Sequence, residues 1–118
     1  MHPPQDTGPF VEALILKAPP RTTLLGTSGL LDFSEYMKLW GEINGVTTKL
    51  QPLSVENVVE AWPGGLGIEY AETACYASEF GWDGGEGAIL PEDAGVDMSV
   101  LCNPTSYIKS TDWSSILG

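Results

Sequence analysis

Apolar residues recur along the chain at intervals that alternate between helical and extended spacing. Phe10, Val11, Leu14 and Ile15 fall at helical spacing, with Asp6 or Thr7 as the cap and Pro9 in the first turn, where its missing N–H costs nothing. "KAPPR" stops this helix near Lys17, and residues 1–8 read as a flexible, proline-containing lead-in. "TTLLGTSG" (residues 22–29) is β-branched and apolar and predicts a short strand. Asp32 followed by Glu35 is an Asp-led capping box. It opens a helix whose stripe is Tyr36, Leu39, Trp40 and Ile43 and whose stop is Asn44–Gly45. "VTTKLQPL" (residues 46–53) alternates and predicts a second strand, with Pro52 placing it at an edge or ending it.

Ser54 caps a third predicted helix carrying Val55, Val58, Val59 and Trp62, ended by the "PGG" at residues 63–65. A fourth, roughly residues 66–80, places Ala71, Ala74, Cys75 and Ser78 on one inner face, and side chains that small imply close helix packing. "AILPEDAGVDMSVL" reads as a loop with one extended piece. "TSYIKSTDWSSIL" predicts one or two short helical turns, capped by Thr105 and Thr111.

Helices therefore outnumber strands, and two strands alone do not make a stable sheet. The pattern fits an α/β fragment, mostly helical, with about two short strands and four to five helices. Either the domain is helical with a small β element, or the strands belong to a larger sheet. A length of 118 residues predicts a single small domain spanning the chain.

The net charge of −11 changes the picture more than composition does. Between Lys49 and Lys109 there is no Lys or Arg, while ten acids from Glu56 to Asp97 fall in that span. Such a surface repels phosphate backbones and anionic bilayers, so no nucleic-acid or membrane partner is expected. No run of roughly 18 apolar residues is present. The N-terminus has neither a basic nor an apolar signal region, so a cytoplasmic protein, with the nucleus as the alternative, is the expectation. Two cysteines, Cys75 and Cys102, are no disulfide framework, although a bond between them stays open. Cys75 reads as a small buried thiol inside a helix.

The chemistry-bearing residues are few. His2 is the only histidine and sits near a terminus where it is hard to hold as a general base, so a Ser–His or Cys–His nucleophile pair is not expected. Zinc spacing, a phosphate loop and a strand-to-helix GxGxxG are all absent, and "PGGLG" reads as a turn between helices. "EFGWDGGEG" (residues 79–87) fails as a calcium loop. Counting from Asp83, positions 3 and 5 are Gly85 and Gly87, and position 12 is Ala94. Asp83 and Glu86 are read as solvated acids in a glycine turn, and no metal is expected. Acid–base work by a carboxylate needs an apolar surround. Glu79 is the weak catalytic candidate on that ground, because Tyr76, Phe80 and Trp82 flank it; these three are the candidate substrate-binding residues. Glu69 and Glu72 fall on a solvent-facing stripe. The wider set Tyr36, Trp40, Trp62, Tyr76, Phe80 and Trp82 is expected chiefly as core.

Taken in order, "DTGPFVEALILKAPP", "TTLLGTSGLLDFSEYMKLWGEINGV", "PGGLGIEYAE", "EFGWDGGEGAILPEDAGV" and "YIKSTDWSSIL" resemble the C-terminal part of fungal NmrA-like proteins, from about Asp6 to Leu117. "EFGWDGG" and "DWSSIL" are the most specific segments. That family resembles atypical short-chain dehydrogenases, in which a Rossmann domain binds NAD(P) and a smaller C-terminal region covers the cleft. Some members are regulators of transcription factors, and others are oxidoreductases of secondary-metabolite biosynthesis. The resemblance implies that the N-terminal Rossmann half, with its phosphate loop, has no counterpart in this sequence. NAD(P) is thus implied for full-length relatives and not as a cofactor bound by this chain alone. It further implies that the two strands are the last of a parallel sheet, leaving an exposed edge for self-association or a protein partner. Three functions follow as expectations: binding or acting on a hydrophobic intermediate, including cofactor-free isomerisation or cyclisation; a regulatory module docking on a transcription factor; or a fragment of a longer oxidoreductase.

Overall fold

The computed structural model describes residues 2–62 and 64–118. Its helices are α1 (Pro3–Leu16), α2 (Phe33–Asn44), α3 (Val55–Ala61), α4 (Leu66–Phe80), α5 (Pro104–Ser110) and α6 (Ser114–Leu117), with one 3-10 turn at Met98–Val100. The chain is mostly helical. It forms two compact units, one of Met1–Leu50 with Ile89–Gly118, the other of Gln51–Ala88.

In the first unit, α1 starts at Pro3, so most of the segment expected as a lead-in is its first two turns. Proline at the first helical positions has the required φ and needs no partner for its nitrogen. The core face of α1 runs through Asp6, Phe10 and Ala13 and meets Val96 and Leu101, flanked by Leu24 and Met98. Of the stripe expected from spacing, Phe10 is buried, but Val11 and Ile15 are 47% and 71% exposed. The helix is apolar on several sides, so periodicity alone does not select a face, and long-range partners do.

The α2 helix forms as its sequence dictates. Asp32 Oδ1 accepts from the Glu35 N–H (2.8 Å), Glu35 Oε2 accepts from the Asp32 N–H (3.0 Å), and Gly45 closes the helix in the left-handed region. Its buried Trp40 meets Trp113 edge-on with centroids 5.7 Å apart, and α2 packs on α5. The α5 cap is Asn103, not Thr105: its Oδ1 accepts from the Ser106 N–H at 2.9 Å, with Pro104 at the first helical position.

Neither expected strand forms. Leu24 makes one isolated parallel bridge with Ile89, through the Leu25 N–H to the Ile89 carbonyl (2.9 Å) and the Ile89 N–H to the Thr23 carbonyl (3.0 Å). Residues 46–50 fold back on α2 instead. The Val46 N–H reaches the Gly41 carbonyl (2.9 Å), and the Thr48 hydroxyl reaches the Met37 carbonyl (3.2 Å). Backbone groups satisfied on a helix end are not available for a ladder. Among the described residues there is consequently no sheet edge for a partner strand to join.

The second unit is a helix pair. Ser54 and Asn57 form a reciprocal capping box at the start of α3 (3.2 and 3.3 Å). The close approach of α4 depends on Gly67, where a Cβ would come within 2.8 Å of the Val58 and Trp62 carbonyl oxygens and Val59 Cα. Next to it Ala71 is 3% exposed, and Trp62 meets Tyr70 edge-on at 5.1 Å. No helix of the described residues is long and apolar enough to cross a membrane.

Candidate functional groove of the helix pair

The small-residue face of α4 does not close fully on α3. A groove of about 430 Å3 is left, lined by Leu53, Val55 and Val58 on one side and by Ala71, Ala74, Cys75, Ser78 and Glu79 of α4 on the other. Ala71 is buried and the other α4 residues are exposed, so the trough is open to solvent. Its lining is apolar except at one end, where Ser78 and Glu79 supply a hydroxyl and a carboxylate. This is the face that spacing predicts as the inner one, but of its four residues only Ala71 is buried. Cys75, expected as a buried thiol, is exposed, and both cysteines are free.

Of the four candidate catalytic and substrate-binding residues, the groove takes Glu79 alone. At about 100° per residue, Tyr76 and Phe80 lie roughly 140° and 180° around α4 from Ala71. They pack on each other with centroids 5.0 Å apart, half exposed to solvent. Trp82 is 74% exposed. These aromatics do not surround the Glu79 carboxylate, which is itself exposed, so the apolar pocket that acid–base work needs is not built around it. Nor are they core: of the six aromatic residues expected there, only Trp40 is buried.

The glycine-rich stretch after α4 has a structural organiser. Asp83, expected to be a solvated acid, accepts three backbone N–H bonds: Oδ1 from Gly85 (3.1 Å), Oδ2 from Gly87 and Ala88 (both 3.1 Å). The Gly85 N–H, then that of Ala88, holds its carboxyl below the ordinary carboxylate value. Gly84 has φ +62°, and a Cβ there would collide with the Tyr76 hydroxyl. The loop thus needs glycine both for its backbone conformation and for contact with α4. Among the described residues no three His, Cys, Asp or Glu side chains come together as a metal site would require.

His2 belongs to the first unit and is held in place. Its backbone N–H donates to Asp6, and its ring lies 6.0 Å from that of Tyr107. No local signal marks this, because the contacts that fix it come from residue 6 and from the far end of the chain. Comparison with known proteins gives no match to this chain among family models, curated proteins or solved structures.

Proposed function

We propose that the chain binds a small hydrophobic molecule along the α3–α4 groove and that it derives from the C-terminal part of an NmrA-like protein. The observation that carries the binding reading is the exposed apolar face of α4, where Ala74 and Cys75 line a trough with Leu53, Val55 and Val58. About 430 Å3 suits a molecule of metabolite size, and a mainly apolar lining with one polar end is the usual composition of such sites. The Ser78 and Glu79 end orients a hydroxyl or amine of the guest, since a carboxylate accepts and a serine hydroxyl does both. Glu79 acts by hydrogen bonding and not as a proton shuttle. The family derivation rests on the ordered segments from "DTGPFVEALILKAPP" to "YIKSTDWSSIL". It carries the α/β ancestry and the setting in secondary metabolism.

The test is titration with the apolar fluorophore N-phenyl-1-naphthylamine. Saturable fluorescence enhancement is expected, and Ala74→Trp, which fills the trough, is expected to weaken it at least tenfold. Enhancement that is unchanged by Ala74→Trp in a folded variant overturns the groove as the site.

A further inference from the structure

The first unit holds a second cavity, of about 320 Å3, lined by His2, Ser28, Tyr36, Cys102, Pro104 and Tyr107. Its wall carries one buried polar atom that has no partner among the described residues, together with three hydroxyls. The hydroxyls of Ser28, Tyr36 and Tyr107 make no hydrogen bond to another described residue. His2 Nδ1 is buried and has no partner among the described residues. Ser28 is only 8% exposed. A polar group sequestered in a fold is normally paired, so the buried Nδ1 of His2 points to a bound partner. Burial, and then the neighbouring Tyr107, hold the Tyr36 phenol above its ordinary value, so it stays neutral and able to donate.

The wall is preorganised from behind. Asp6 is fully buried, and its carboxylate accepts from the backbone N–H groups of His2 and Cys102, two residues of the wall. No Lys or Arg among the described residues lines the cavity, so nothing there compensates the charge of an anionic guest. Flat surfaces are supplied by the His2 and Tyr107 rings, which lie tilted at 46° to each other, and by Pro104.

We propose that this cavity is a binding site for a small uncharged aromatic molecule bearing a hydroxyl group. The ring of the guest packs against His2, Tyr107 and Pro104, and its oxygen exchanges hydrogen bonds with the Ser28 and Tyr36 hydroxyls. The proposal stands on a different unit and a different chemistry from the α3–α4 groove, and neither depends on the other.

The probe is 2-naphthol, followed by NMR of the imidazole protons of His2, the chain's single histidine. A saturable ring-current shift of these resonances is expected below millimolar probe, and Ala74→Trp is expected to leave it unchanged. A Ser28→Ala, Tyr36→Phe double variant, which keeps the ring and nearly the volume, is expected to weaken binding about tenfold, the worth of two neutral hydrogen bonds. In the unaltered protein, 2-methoxynaphthalene, which cannot donate, is expected to bind at least fivefold more weakly. Absence of a saturable His2 shift up to millimolar probe overturns the site. Equal binding of 2-naphthol and 2-methoxynaphthalene, or binding unchanged in the folded double variant, overturns the hydroxyl recognition.

Discussion

The carboxylate of Asp6 accepts the backbone N–H of Cys102, 96 residues along the chain, at 2.8 Å. With its second oxygen on the His2 N–H, this one side chain joins the start of α1 to the segment that leads into α5. It is fully buried, and these two N–H donors offset part of its lost hydration.

Asp6→Asn is close in shape but turns one acceptor into a donor facing an N–H. The variant is expected to lose about 2–3 kcal/mol of stability, measured as a lower urea midpoint with little change in slope. Asp6→Ala is expected to lose at least as much. Stability unchanged in both would mean that the carboxylate contributes no more than the water it displaces.

At Gly67 the two helices of the second unit touch through backbone. Gly67→Ala places a methyl within 2.8 Å of three α3 backbone atoms, which have no rotamer through which to yield. The expected cost is about 1–3 kcal/mol. Faster amide hydrogen exchange throughout α3 and α4 is the readout, and unchanged exchange would contradict the close packing.

The Asp83 loop has a pH dependence whose sign follows from its bonds. Its carboxyl is held below the ordinary value by the Gly85 and Ala88 amides, so the folded loop favours the charged form. That stabilisation is fully present above the unfolded carboxylate value of about 4 and is lost as pH falls through the lower folded value. The amide resonances of Gly85, Gly87 and Ala88 are expected to move together as pH falls below about 4. Asp83→Asn is expected to abolish that transition, and a transition persisting in the variant would assign it to another acid.

Much of the helical layout was legible locally. The Asp32–Glu35 box, the Asn44–Gly45 stop and the Ser54 cap act within one helical turn, and each appears as the spacing predicts. The small-residue face of α4 was only partly legible, since Ala71 is buried while Ala74, Cys75 and Ser78 are exposed. What stayed hidden depends on partners distant in sequence. The burial of Asp6 needs Cys102, the fixing of His2 needs Asp6 and Tyr107, and the choice of face on α1 needs Val96 and Leu101. "TTLLGTSG" and "VTTKLQPL" carry strand-forming residues, but the first makes only a single bridge to Ile89 and the second is turned back on α2 by the Val46 N–H and the Thr48 hydroxyl, so propensity alone misplaces them. The capping role of Asp83 was not legible because three amides that converge on one carboxylate only after a glycine-permitted turn leave no periodic trace.

The central claim, an apolar guest in the α3–α4 groove, is tested most directly at Cys75, an exposed thiol of its lining. In a Cys102→Ser background, the rate of Cys75 alkylation by N-ethylmaleimide is measured with and without saturating N-phenyl-1-naphthylamine. A guest lying in the trough shields the thiol, and the rate is expected to fall at least tenfold. A rate unaffected by bound probe would contradict the account, because the guest would then lie elsewhere.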